Sequence, residues 1–257
     1  MLIDRPSIKQ ASRILMRETR PSVYPVTLLY LVIVTVIQTI ISVLSGVTTF
    51  YQNVFTYANM NAVLTYEDLL NLIPRPGLVS EILIVALALT LAIVSAGYQF
   101  YCLKVSRRIP GSYRDVVSGF NSLGKVAAIA VLQAVFIFLW SMLFVIPGII
   151  AAYRYRMSYY ILYDHPDMRA IDCIRASKRM MQGNKWTLFT LHLSFLGWMI
   201  LSCIISIFLE ALVRFSFPIL EIYITPYMGI TEANFYNALL LYEQQRTSGT
   251  PSGPGVF

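Results

Sequence analysis

The sequence predicts an all-α polytopic membrane bundle, with six transmembrane helices and three amphipathic helices on the cytosolic side. Three observations predict it. Of 257 residues, 57% are hydrophobic and only 13% charged, and the mean hydropathy is +0.64, which excludes an ordinary soluble globule. Apolar runs of roughly 15 to 25 residues recur along the chain, the scale a helix needs to cross hydrocarbon. Lys and Arg gather in alternate connections between those runs. Residues 1–246 read as one integral membrane domain, and 247–257, rich in Ser, Gly and Pro, as a disordered cytosolic tail.

Residues 1–21 lack the short apolar core of a cleavable signal. Ile8–Arg20 instead reads as an amphipathic helix. Lys9, Arg13 and Arg17 share one face; Ile8, Ala11 and Leu15 lie on another; Pro21 and Pro25 close it. The first span is Val26–Val47. Thr35, Gln38, Thr39 and Ser42 recur along it at helical spacing, a polar stripe expected to face other helices.

Residues 48–77 form a long connection on the non-cytosolic side. Within it Thr65-Tyr66-Glu67-Asp68 resembles a capping box that opens a short interfacial helix, ended by Pro74 and Pro76. The second span is Leu78–Leu103, with Glu81 near its outer end and Ser95 and Gly97 suited to close packing. A second amphipathic segment, Tyr113–Gly124, puts Tyr113, Val116, Val117, Phe120 and Leu123 on one face of an α-helix.

The third span is Val126–Val145. Continued to Tyr163 it would be nearly twice too long to cross once, so Pro147-Gly148 reads as a tight reversal. The alternative is a kink in one long tilted helix. The fourth span is Ile149–Tyr163. A third amphipathic segment, Met168–Gln182, follows, with Ala170, Ile174, Ser177 and Met181 on one side, Arg175, Lys178 and Arg179 on the other, and Gly183 as its stop. Trp186–Leu209 is the fifth span and Pro218–Tyr242 the sixth, kinked by Pro226. A basic amphipathic helix before a membrane hairpin thus occurs before spans one, three and five, a repeated plan.

Charge sets the orientation. With the N-terminus inside, the cytosolic segments hold Arg5, Lys9, Arg13, Arg17 and Arg20, then Lys104, Arg107, Arg108, Arg114 and Lys125, then Arg169, Arg175, Lys178, Arg179 and Lys185, and finally Arg246. The outside holds Arg75 and Arg214. Both termini are therefore expected in the cytosol. The formal net charge of +7 then meets the anionic inner leaflet, and nucleic acid is not needed to explain it. A partner membrane protein stays open. Cys102, Cys173 and Cys203 have no metal or disulfide spacing and read as free thiols.

Within the membrane, Arg154 lies about 9 Å along from the expected turn, with Arg156 half a turn deeper on the opposite face. Guanidinium stays charged at any ordinary pH, and its insertion at the centre of lipid costs at least about 2.5–3.5 kcal/mol. Arg154 or Arg156 is therefore expected to pair with Glu81 or Glu221, either as a structural clasp or as the floor of an outward-facing polar pocket. In the inner half, Glu232 is expected to meet His192 or a polar group such as Gln38, or to face a wet cytosolic vestibule.

His165 and His192 are the only histidines. His165 sits beside Asp164 and Asp167 in what reads as a solvated turn. There is no HExxH, no Gly-x-Ser-x-Gly and no phosphate loop. The sequence therefore predicts neither an enzyme nor a metal, flavin or nucleotide cofactor. Two functions remain: a non-enzymatic binding or scaffold protein for a partner protein, peptide or lipid, and a transporter or channel component with a polar intramembrane pocket.

Several stretches together carry a resemblance: Ile-Pro-Gly-Ile-Ile (146–150), Tyr-Arg-Tyr-Arg-Met (153–157), Tyr-Ile-Leu-Tyr-Asp-His-Pro (160–166), Ala-Ser-Lys-Arg-Met-Met-Gln-Gly-Asn-Lys-Trp (176–186), Leu-Ser-Phe-Leu-Gly-Trp (193–198) and Pro-Tyr-Met-Gly-Ile-Thr-Glu-Ala-Asn-Phe-Tyr (226–236). This set resembles the bacterial integral membrane family of domain of unknown function 975. The resemblance implies six spans and a bacterial plasma membrane, and it brings no catalytic residues. More remotely, the chain is similar to the membrane domain attached to some glycerophosphodiester phosphodiesterases.

The topology makes a prediction. In a background with Cys102, Cys173 and Cys203 replaced by serine, an impermeant maleimide should label Met60→Cys on whole cells and Thr250→Cys only after lysis. The opposite pattern would invert the orientation.

Overall fold

The structure, a computed structural model, describes residues 4–20, 22–59, 65, 67–68, 72–213 and 220–247. Among them every regular element is helical. The chain divides into two compact units, one of residues 1–30 and 93–257, the other of residues 31–92. Four helical stretches are long and apolar enough to cross a membrane: Val23–Leu44, Leu78–Ser106, Tyr113–Leu143 and Lys185–Phe208. These mark a membrane protein.

Helix α1 (Arg5–Glu18) starts on Asp4, whose carboxylate accepts from the Ser7 N–H at 3.3 Å, with proline in the first turn. Ile8, Ser12, Leu15 and Met16 are buried. The helix ends at Thr19, whose hydroxyl donates to the Leu15 carbonyl at 2.6 Å; of the two prolines expected to close it, Pro21 lies outside the described residues. Pro25 instead sits in the first turn of α2 (Val23–Leu44), where a missing N–H removes no helical bond.

The smaller unit holds most of α2, helix α3 (Val47–Asn59) and the start of α4 (Leu78–Ser106). The first span ends earlier than expected because Gly46 takes the left-handed conformation, φ 72°. The chain then re-enters a helix at once, so α3 fills the first half of what read as an open connection. The expected polar stripe is not turned inward: Thr35, Gln38 and Thr39 are exposed, and Thr39 donates back to the Thr35 carbonyl at 2.8 Å. Thr65 and Asp68 do form the capping box. Asp68 Oδ2 accepts from the Thr65 N–H at 3.0 Å, and the Asp68 N–H donates to Thr65 Oγ1 at 3.2 Å. Hydrogen bonding from Thr65 lowers the Asp68 pKa. The helix expected after it falls largely outside the described residues.

In the larger unit, α4 packs on a 3₁₀ segment, Tyr113–Ser122. This corrects the second amphipathic helix. At three residues per turn the buried face is Val116 and Gly119, not the wider α-helical face; Tyr113, Val117 and Phe120 are exposed. Gly97 and Gly119 allow the approach. A Cβ at Gly97 would run into the Val116 carbonyl oxygen, and one at Gly119 into that of Ile93. Asp115, buried, holds Lys104 at 2.6 Å and the Ser112 N–H at 2.7 Å.

Helices α5 (Leu123–Leu143) and α6 (Val145–Tyr155) form the hairpin that the third and fourth spans require, and a single kinked helix is excluded. The reversal is not at Pro147-Gly148. It is at Phe144, whose backbone is extended at φ −161°, ψ 154°. Pro147 lies in the first turn of α6. Gly148 is a contact glycine: a Cβ there would overlap the Ser141 hydroxyl.

The fourth span is also not continuous. It breaks after Tyr155 and resumes as α7 (Ser158–Asp164). Helix α8 (Ala170–Met180) buries Cys173, Ile174, Ser177 and Met180 and exposes Arg175, Lys178 and Arg179. Gly183 follows at φ 84°. Helices α9 (Lys185–Val213) and α10 (Glu221–Thr247) complete the order. Helix α10 runs through Pro226 and buries Ile230, Ala233, Phe235, Tyr236 and Leu239 almost completely. The turn expected around Arg214 and the tail beyond Thr247 lie outside the described residues. Cys102 and Cys173 are buried thiols, and Cys203 is exposed.

The glycine contact gives a test. Gly97→Ala should destabilise the purified protein by about 1–3 kcal/mol, the scale of overpacking, read as an earlier thermal midpoint in detergent. Gly124→Ala, where nothing lies within 4 Å of the added carbon, should leave the midpoint unchanged or raise it.

Candidate functional site

The break in the fourth span builds the site. Between α6 and α7, Arg156 and Met157 take no part in either helix, so carbonyls at the end of α6 lose their helical donors. Ser177 of α8 repairs the gap with one hydroxyl: it donates to the Arg154 carbonyl at 3.0 Å and accepts the Met157 N–H at 3.1 Å. The Tyr155 carbonyl accepts from Gln133 Nε2 and from the Ser158 hydroxyl, each at 2.8 Å. Ala151, Tyr155 and Ile174 pack below the break with Leu132, Phe136 and Ile137. The Arg154 and Tyr155 carbonyls and the Met157 N–H are thereby paired at the break.

Arg156, at the break, points to α10. Its Nε donates to Glu232 Oε1 and its Nη2 to Glu232 Oε2 at 3.0 Å, a bidentate pair. His192 of α9 brings Nε2 to 3.5 Å from Glu232 Oε1. The Tyr153 hydroxyl lies 3.3 Å from His192 Nδ1. The pair is lopsided. The Glu232 side chain is 3% exposed and that of Arg156 42%, and Arg156 lines a cleft of about 340 Å³. Gln133, Ala152, Tyr153, Tyr159, His192 and Met228 line it with Arg156. The Tyr160 hydroxyl and His192 Nε2 are buried without a hydrogen-bond partner. Among the described residues no group of three or more His, Cys, Asp or Glu side chains could hold a metal ion. Chemically, the cleft offers a fixed cation, phenol hydroxyls, an amide and an imidazole to a polar or anionic group.

The sequence-expected residues separate as follows. Arg156, Glu232 and His192 come together, so what read as an outer and an inner cluster is one. Arg154 contributes its carbonyl, and its guanidinium makes no ion pair among the described residues. Glu221 is half-buried in the first turn of α10, without an ion pair among the described residues. Glu81 and Gln38 are exposed and belong to the other unit. The depth estimate placed Arg156 wrongly because it assumed an unbroken helix starting at Ile149.

A second charged network escaped the sequence reading. Arg107 grips Asp164 with Nη1 at 2.6 Å and Nη2 at 2.8 Å, and its Nε donates to Asn237 Oδ1 at 3.1 Å. The Tyr236 hydroxyl donates to Asp164 at 2.9 Å. Asp164 is thus an anchor joining the ends of α4, α7 and α10, not a solvated turn residue. Its position as the last residue of a helix, opposite an arginine just past another, was the available signal.

Residues 142–243 match the family described as protein of unknown function (DUF975). No curated protein and no solved structure matches the chain. The matched stretch contains the hairpin turn, the break, Ser177, His192, Arg156 and Glu232, while Gln133 lies before it.

Removing one partner of a buried pair costs about 3–5 kcal/mol, because the other charge is left unpaired. Glu232→Gln and Arg156→Gln should each reduce the folded protein recovered from membranes after mild heating. The exchange Arg156→Glu with Glu232→Arg should recover more than either single charge reversal. Equal loss in all three would dissociate the pair from stability.

Proposed function

We propose that this protein is a non-enzymatic binding or scaffold protein of the bacterial cytoplasmic membrane. It crosses six times with both termini in the cytosol, and its cleft at Arg156 holds a polar or anionic group of a lipid, peptide or partner protein. The six crossings add α6–α7 and α10 to the four long apolar helices. Helix α10 is polar for a span, and its burial inside the unit supports reading it as the bundle's inner helix. The Lys and Arg asymmetry supports the orientation.

One observation carries the reading: a bidentate Arg–Glu pair with the carboxylate sealed and the arginine side chain partly exposed beside a lined cleft. The carboxylate fixes the cation in place, and the exposed part of the arginine offers N–H donors to a ligand. A second reading, a transporter or channel component, is favoured by the discontinuous α6–α7 helix, because broken helices in membranes line polar paths.

Ala152→Phe should test both. Ala152 lines the cleft and is only partly buried, so folding and accumulation should survive. Wild-type protein purified from native membranes should carry a small molecule or lipid, identified by mass spectrometry, that the variant lacks. Reconstituted vesicles that accumulate that ligand through the wild type alone would favour transport. Identical bound species in both proteins would remove the cleft from the function.

A further inference from the structure

We infer that the groove between α1 and the start of α9 binds the phosphate headgroup of one anionic lipid, with its acyl chain running down α9. The site is separate from the Arg156 cleft and does not depend on the function proposed there. Arg5, Lys9 and Arg13, spaced four apart on α1, line a groove of about 630 Å³, with Thr190 and Ser194 of α9 opposite. None of the three cations has an acidic partner among the described residues. They are not simply solvated. Lys9 Nζ sits 4.5 Å from the centre of the Phe195 ring, and the Arg13 guanidinium 5.4 Å from that of Tyr227. Burial and then the repulsion of Arg13 lower the Lys9 pKa. Three cations on one groove wall, two of them held by aromatic packing, with no acidic partner among the described residues, complement an external anion.

The groove's far wall says which anion. Thr190, Ser194, Gly197 and Leu201 lie four, three and four residues apart, one row along α9. The row starts polar beside the cations and turns apolar along a candidate span. At Gly197 nothing lies within 4 Å of where a Cβ would be, and Leu201 is 43% exposed. A soluble phosphate would use only the first half of this row. A lipid uses all of it, with its phosphate among the cations and a chain along Gly197 and Leu201. Ser194 and Thr190 donate their protons to backbone carbonyls of their own helix, so recognition rests on the cations.

Trp186, one turn before Thr190 and 68% exposed, is a built-in reporter. The full chain carrying Trp140→Phe and Trp198→Phe is placed in mixed micelles doped with dibrominated phosphatidylglycerol or dibrominated phosphatidylcholine. The anionic lipid should quench Trp186 at about tenfold lower mole fraction than the zwitterionic one, on the scale expected for a few basic residues at an anionic surface. Arg5→Gln, Lys9→Gln and Arg13→Gln together should abolish the preference and leave quenching by phosphatidylcholine unchanged, which also shows the fold intact. Lys178→Gln with Arg179→Gln, equal in kind but on α8, should leave the preference whole. No preference in the parent, a preference that survives the triple substitution, or its loss in the α8 variant overturns the site. Relief of quenching by millimolar inorganic phosphate at fixed ionic strength would reassign the groove to a soluble anion and overturn the lipid.

Discussion

An arginine keeps its charge at any ordinary pH, so among apolar helices its position dictates what must stand opposite. Arg156 is that constraint here. It lies where the fourth membrane segment breaks, between α6 and α7, and the break turns its guanidinium toward α10. Glu232 meets it there with both oxygens, and His192 closes on the same carboxylate from α9. Three helices distant in sequence are thereby held at one point. The pair also neutralises the buried acid of α10 inside the unit, and the apolar residues of that helix pack around it.

The break needs its own support, because two carbonyls and an N–H cannot stay unpaired away from water. Ser177 meets one of each with a single hydroxyl, and Gln133 supplies the remaining donor. This changes the meaning of α8. Its pattern of buried and basic residues is that of a helix lying on a surface. Yet its apolar stripe carries the one hydroxyl that keeps the neighbouring segment open.

Much of this was legible in the residues. Apolar runs located the long helices within a few positions, and the Ile174–Ser177–Met181 stripe marked the buried side of α8. His192 was one of the partners weighed for Glu232, beside Gln38 and a wet vestibule, and it lies 3.5 Å away. What failed shares one cause: dihedral choices that residue type alone does not dictate. Pro147-Gly148 looked like the turn, yet proline is also at home in a helix's first turn, and Phe144 took the extended conformation instead. Tyr113–Ser122 has an α-helical pattern, but its contact with Gly97 selects the tighter 3₁₀ winding. The break at Arg156 carries neither glycine nor proline. It exists through partners on α5 and α8, which no local rule could anticipate. Asp164 was misread for the same reason, because its arginine lies 57 residues away.

Clasp and pocket looked like alternatives in the sequence, but the geometry makes them one object. A clasp that served stability alone would gain by burying both partners, since each solvent-facing N–H weakens the attraction. Here the carboxylate is sealed and the arginine is not. The buried acid with its histidine fixes the guanidinium plane, so the exposed part meets a ligand at little further cost in side-chain entropy. The same asymmetry bears on selectivity. A cationic ligand would face the guanidinium first, with the acid behind it, whereas an anionic or carbonyl-bearing group would meet oriented N–H donors flanked by Tyr153 and Tyr159.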